Sequence, residues 1–235
     1  MARRLVLLRH GRIAANRDGL WHGSTDSDLL PLGRRQAQRT ARFLMQREPE
    51  IAAVYASPLQ RCQDTAAAFI DLQNRHSQRQ ARRASVTDWF RERLGAWGPA
   101  APEDPSPPLS IATHHDLREY GIGDWEGMSF ADLARDYQFI ERACEDLDYA
   151  APGGESLRQV SQRYAAALRE IDAHHSERED VLVVGHGAAF AVALATLIND
   201  APQKWRDYGI DNCGLSELTL GEWPELVSFN HTSHL

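Results

Sequence analysis

Nowhere in its 235 residues does the chain hold an apolar run approaching the roughly 20 residues needed to cross a bilayer, so no membrane span is expected. Cysteine is scarce. Cys62, Cys144 and Cys213 are odd in number and scattered, which suits reduced thiols rather than a disulfide framework and gives no metal-site spacing. Excess positive charge is also missing: 26 Lys and Arg against 33 Asp and Glu leave a net charge of −7, so bulk electrostatics give no reason to expect nucleic-acid binding. Met1-Ala2-Arg3-Arg4 passes straight into an apolar stretch too short for a signal-peptide core, and the expected location is the cytoplasm. What remains is ordinary for a globular protein, with 43% hydrophobic and 25% charged residues, enough at this length for a single domain spanning 1–235.

The most informative feature is a repeated junction. Leu5-Val6-Leu7-Leu8 leads into Arg9-His10-Gly11, and Val181-Leu182-Val183-Val184 leads into Gly185-His186-Gly187. Continuous apolar runs suit strands covered on both faces of a parallel sheet, and open α/β sheets bind ligands beyond the strands' carboxyl ends. Two imidazoles are thereby expected in one cleft.

The rest of the chain alternates accordingly. A polar loop from Arg12 to Leu30 is followed by a helix opened by Pro31, with Leu32, Ala37, Ala41, Leu44 and Met45 as its apolar stripe. A strand over Ile51 to Tyr55 precedes Ser57-Pro58 and a helix carrying Leu59, Cys62, Ala66 and Phe69. This βαβα order implies a three-layer α/β/α domain with a mainly parallel central sheet. From about Arg75 to Pro108 the regularity fails: six arginines (Arg75, Arg79, Arg82, Arg83, Arg91, Arg93) precede a proline-rich stretch. Residues 75–108 are therefore expected as an inserted arm, which would be a solvated surface element, a lid over an anionic substrate, or a contact in a homodimer. Beyond it come a short strand at Leu109 to Thr113, helices over Phe130 to Tyr137, Leu157 to Ala173 and Ala188 to Ile198, and a closing hairpin of Leu215 to Leu220 with Glu225 to Phe229.

Arg9-His10-Gly11 sets a permanent cation, a nucleophile and a glycine side by side, which suits a phosphoryl group. Arginine's planar fork matches phosphoryl oxygens, and neutral imidazole can form a covalent intermediate. His186, at the same strand-end crevice, would stabilise charge on the transferring group.

Four blocks in order, Arg9-His10-Gly11 with Asn16, Gly23 and Leu32-Gly33, Tyr55-Ala56-Ser57-Pro58-Leu59-Gln60-Arg61-Cys62 with Thr65-Ala66, Leu117-Arg118-Glu119 with Gly123-Asp124-Trp125-Glu126-Gly127, and Gly185-His186-Gly187, span most of the chain. Together they resemble the histidine phosphatase superfamily, which includes the cofactor-dependent phosphoglycerate mutases. The resemblance implies that His10 is the nucleophile and that Arg9, Arg61 and His186 bind the phosphoryl group. It makes Glu119 the proton donor to the leaving alkoxide and later the base that activates water, a role that burial or nearby Asp124 or Glu126 would assist by raising its pKa. Asn16, Gly187 and the backbone near Gly23 would complete the phosphate site, with no metal and no cofactor. The implied partner is a phosphorylated small molecule, with no nucleic acid and no membrane.

Departures from the pattern bear on the reaction. Mutases of the family carry Glu after the Arg-His-Gly triplet and a long insertion with an arginine pair before the Gly-Glu-Ser element; this chain has Arg12, and Gly127 to Gly153 is short. Gly-Asp-Trp-Glu-Gly is the form seen in phosphatases. His22 stands where the family usually has Gln, Thr or Ser; pointing inward, it would give the phosphate site a titratable donor, and activity should fall as that imidazole loses its proton. A phosphomonoesterase is the leading expectation, with mutase-type transfer and a catalytically idle phosphate- or protein-binding member as alternatives. Glu155 and Ser156 are expected to cap a helix, the paired histidines (His114 and His115, His174 and His175, His231 and His234) to be surface or loop residues, and Trp21 and Trp125 to pack, with Trp21 bordering the site.

Overall fold

The computed structural model of the chain describes residues 3–47, 51–94, 108–176 and 179–235. In chain order it contains β1 (Leu5–Arg9), α1 (Ala14–Asp18), α2 (Pro31–Leu44), β2 (Ile51–Ala56), α3 (Gln60–Leu94), β3 (Ile111–Thr113), α4 (Phe130–Tyr137), α5 (Phe139–Glu145), α6 (Leu157–Ala173), β4 (Asp180–Gly185), α7 (Gly187–Asn199), β5 (Leu215–Leu220) and β6 (Pro224–His231). The strands form one sheet in the order β3-β2-β4-β1-β5-β6, and only β5 runs against its neighbours.

The unbroken apolar runs of β1 and β4 are explained by their central position, since both faces of each strand are covered. Leu5 and Leu7 join Val181 and Val183 in one core, closed by α6 and α7 with α4 and α5. Val6 and Leu8 join Leu182 and Val184 in the other, closed by α2 and α3. Each of these eight buried side chains contributes about 2 kcal/mol of gross burial free energy, and their alternation makes the domain three-layered.

Register brings the catalytic candidates together. Arg9 pairs with Gly185 across β1 and β4, and Ala56 pairs with Val184 across β2 and β4. The residues that follow these strands, His10, His186 and Ser57, therefore emerge at one edge, and the His10 and Ser57 amides donate to the Gly185 and Val184 carbonyls at 3.0 Å each.

Three expectations are corrected. Residues 75–94 are not irregular: α3 continues through them as a 35-residue helix, about 50 Å long. The arginines do not mark a break in the helix: Arg75, Arg79 and Arg82 lie on it and face solvent. Pro99, Pro102, Pro105 and Pro107, and the side chains of Arg83, Arg91 and Arg93, lie outside the described residues. On α2, Leu32 is 40% exposed and Gly33 is buried in its place. The reason is a close crossing: a side chain on Gly33 would meet the Arg12 carbonyl oxygen at 2.3 Å, so the first turn of α2 lies directly on the loop after β1. Finally, α1 and α5 form within stretches not expected to be helical.

Candidate active site

His10 is 3% exposed, and its Nδ1 lies 2.8 Å from the Gly11 carbonyl oxygen. A carbonyl only accepts, so Nδ1 carries the hydrogen and Nε2 keeps its lone pair. Burial, reinforced by the Arg9 and Arg61 cations, holds this imidazole well below its ordinary pKa, so it is neutral at physiological pH. The ring of His186 stands 5.3 Å away, centroid to centroid and edge-on. Its Nδ1 accepts from Arg61 Nε at 3.3 Å, which leaves Nε2 as the N–H that donates to Ser57 Oγ at 2.8 Å. Burial, then Arg61, hold His186 well below its ordinary pKa as well. Both imidazoles are thus neutral, with opposite tautomers.

Two arginines flank them, Arg9 half-buried and Arg61 buried. Arg9 donates to the Ile210 carbonyl, and its Nε is buried with no protein partner. A side chain on Gly187 would meet that Nε and the guanidinium carbon at 3.0 Å, so glycine there lets the helix start lie flat against the cation. Arg61 is fully buried on the first turn of α3. Its Nη1 donates to Thr25 at 2.7 Å and its Nη2 to Gly23 at 2.9 Å and His22 at 3.2 Å, all backbone carbonyls of the 22–25 loop.

That loop is in turn held by Glu126. The carboxylate accepts from the Gly23, Ser24 and Thr25 amides at 3.0, 2.8 and 3.1 Å and from the Thr25 hydroxyl at 2.9 Å. Two expectations change here. Glu126 is committed to the loop rather than acting as a charged neighbour of Glu119, and the Gly23 amide is committed to Glu126 rather than open to an anion.

Glu119 sits at the N-terminus of α7. Its Oε1 accepts from Ala189 at 2.7 Å and from its own neighbour Tyr120 at 2.9 Å, and its Oε2 from Ala188 at 3.2 Å. The helix dipole and otherwise unpaired first-turn amides make this a natural carboxylate position. Its segment is pinned from behind by Arg163 of α6, which donates to the backbone carbonyls of Asp116, Arg118 and Glu119 at 2.8 to 2.9 Å. Glu155 pairs with Arg163 at 2.6 Å and accepts from the Gly121 amide at 3.0 Å. Burial works to raise the Glu155 carboxyl, but Arg163 and that amide outweigh it and hold it below the ordinary range. Glu155 is therefore an orienting group and not a cap; Ser156 alone caps α6, with Gln159 completing the box.

Arg9, His10, Asn16, His22, Glu119 and Gly187 line one cavity of about 320 Å³. Arg61, His186 and Gly23 do not line it; they stand behind, around the first two. His22 binds Ser27 Oγ through Nδ1 at 2.9 Å, and Asn16 Oδ1 accepts from the Ile13 amide and from Asn212 Nδ2. Asn212, which also donates to the His10 carbonyl at 3.0 Å, Arg163, and Trp205 with Arg206 on the cavity wall were not legible from sequence. All contribute through contacts distant in the chain. Trp21 packs, 3% exposed, and borders the cavity as expected. His231 and His234 stack on Phe43, and His234 bonds Thr40. Among the described residues no group of His, Cys, Asp or Glu is placed to hold a metal, no helix is long and apolar enough to cross a membrane, and all three cysteines are free.

The model for the histidine phosphatase superfamily (branch 1) matches residues 5–98 and 96–232. A glucosyl-3-phosphoglycerate phosphatase of Mycobacterium tuberculosis is 29% identical over 231 residues, covering 94% of this chain and 87% of the relative. The solved structure of a mycobacterial glucosyl-3-phosphoglycerate phosphatase with VO3 superposes with a TM-score of 0.73 at 27% identity, covering 98% of this chain and all of that one. A phosphoserine phosphatase of Entamoeba histolytica, solved with 3-phosphoglyceric acid, shares the fold at a TM-score of 0.74 and 22% identity, over 99% and 98% of the two chains.

Proposed function

The chain belongs to the histidine phosphatase superfamily and is a phosphoric monoester hydrolase of it, and we propose that it hydrolyses a small phosphorylated metabolite through a phosphohistidine on His10, with Glu119 as general acid and base. The observation that carries the reading is the tautomer of His10: Nδ1–H is held by the Gly11 carbonyl, and a neutral Nε2 lone pair is left for attack.

In the first half-reaction Nε2 attacks phosphorus and the ester P–O bond breaks. Glu119, as the carboxylic acid, gives its proton to the departing oxygen, so the alcohol leaves neutral. Arg9, through its unpartnered Nε, binds the phosphoryl oxygens, while Arg61 stands behind as a buried cation that favours the negative charge gathered there. His186 orients Arg61 and packs edge-on against His10. In the second half-reaction the Glu119 carboxylate takes a proton from water, the hydroxide oxygen bonds to phosphorus, the P–N bond breaks, and inorganic phosphate leaves with His10 neutral again.

A panel of phosphorylated metabolites assayed with wild type and His10→Ala tests this. Release of free phosphate, lost by a factor of more than about 1,000 in the variant, is expected, because removing the nucleophile of a concerted site costs at least that much. Transfer of the phosphoryl group between hydroxyls without phosphate release would instead indicate a mutase.

A further inference from the structure

Resting on that reading of His10, we propose that the cavity selects a phosphomonoester whose alcohol portion is apolar along most of its length and carries an anionic group at its outer end, received by Arg206. Beyond the phosphoryl end the lining changes character: Leu20, Trp21, Phe130, Ile140, Trp205 and Ile210 make up the wall, drawn from separate parts of the chain. Trp21 is the anchor. Its Nε1 donates to the Tyr120 carbonyl at 3.0 Å, so its polar handle faces away, and its ring lies 5.2 Å from Phe130 and 6.3 Å from Trp205. Phe130 keeps 46% of its surface exposed while lining the cavity, an apolar face without a protein partner over nearly half its area.

Polar partners along this wall are few. The side-chain oxygen of Asn16 is taken by Ile13 and Asn212, and His22 has one ring nitrogen bound to Ser27. A sugar or polyol would set several hydroxyls against Trp, Phe, Ile and Leu without partners, and each buried unpaired hydroxyl opposes binding. An alkyl or aryl body removes apolar surface from water at the same place. Arg206, on the 3-10 helix Pro202–Tyr208 next to Trp205, is exposed and forms no ion pair or hydrogen bond among the described residues, and it lines the same cavity. A carboxylate or second phosphate at the far end of the substrate would meet it. The volume of about 320 Å³ lies within the range of small-molecule sites.

Unbranched alkyl phosphates from ethyl to hexyl test this, because their leaving alcohols differ little in acidity. kcat/KM is expected to rise about fourfold per methylene, with a flatter slope in Phe130→Ala and Trp205→Ala. A terminal carboxylate on the hexyl chain should add up to about fivefold, a gain lost in Arg206→Gln. In parallel, binding of the matching alkylphosphonates to His10→Ala is measured by calorimetry and should strengthen by the same factor per methylene. A rate and an affinity that are flat or falling with chain length, or slopes unchanged in both wall variants, would overturn the inference. Turnover with a flat series would leave the phosphohistidine reading standing and remove this one. Phosphonate affinity that climbs with length in a protein that turns over no ester would do the reverse.

Discussion

A single carbonyl, that of Gly11, decides which nitrogen of His10 keeps the lone pair that the proposed mechanism uses, and burial, reinforced by the neighbouring cations, keeps that nitrogen unprotonated. At the same scale, the position of Glu119 against the Ala188 and Ala189 amides makes a sharp prediction about leaving groups. Glu119→Gln keeps the shape but cannot donate or accept the catalytic proton. Alkyl phosphates should slow by a factor of about 100 to 1,000. Aryl phosphates, whose leaving groups need little protonation, should still form phosphoenzyme, which would then accumulate because water is no longer activated. Stopped-flow release of 4-nitrophenol followed by a slow steady state is the expected trace; equal slowing of both phases and both ester types would remove Glu119 from the leaving-group role. Gly187→Ala acts on the other side of the phosphoryl group. Its methyl would press on the Arg9 guanidinium at 3.0 Å, so KM should rise several-fold with little loss of folding stability, as read by steady-state kinetics and a denaturation midpoint.

Elements rather than single side chains set the positions of Arg61 and Glu119. Glu126, between α4 and the turn at Gly123, grips the 22–25 loop, and that loop's carbonyls grip Arg61. Glu126→Gln should therefore weaken phosphate binding by about tenfold, since amide donors lose their charged acceptor, while the bond-breaking step changes less. A rise in the inhibition constant for inorganic phosphate, with kcat within about threefold of wild type, is the expected result; an unchanged constant would separate the loop from Arg61. This coupling was hidden in the sequence. The strands were readable because β1 and β4 are covered on both faces and so carry unbroken apolar runs, and α6 because Leu157, Val160, Tyr164, Leu168 and Ile171 repeat at helical spacing. The far half of α3 was not readable, since Arg75, Arg79, Arg82, Arg83, Arg91 and Arg93 crowd it and a proline-rich stretch follows. Arg163 and Asn212 were missed for a different reason: their partners lie 44 to 47 and 196 to 202 residues away, except for Glu155. Local pattern carries no trace of such pairings.

For the whole molecule, burying two neutral imidazoles makes stability depend on acidity. His10 and His186 have folded-state pKa values well below the ordinary one, so between that lowered value and about 6.5 the unfolded chain binds protons that the folded chain does not. Stability is then full above about pH 6.5 and falls as pH drops beneath it, by about 1.4 kcal/mol per pH unit for each of the two. Urea titrations from pH 8 to 5 should show this slope, and His10→Gln should make it shallower by about one proton; a slope unaltered by that variant would mean that His10 is protonated in the folded state. The same burial that costs stability in acid keeps His10 in the neutral form that the proposed mechanism needs. His10 and His186 meet because β1 and β4 are adjacent, parallel and in register, which the paired strand-end histidines in the sequence already implied. The apolar wall beyond them, gathered from α4, α5 and the 3-10 helix Pro202–Tyr208, was not implied by any one segment.

The covalent step itself is the most direct test. Rapid acid-free quenching during turnover, followed by peptide mass spectrometry, should find one phosphoryl group per active site on the peptide carrying His10, stable to base, labile to acid and absent from His10→Ala. A chain that releases phosphate from its substrate at full rate with no phosphoryl group on His10 at any time point, or with one that persists when His10 is replaced, would contradict the phosphohistidine mechanism.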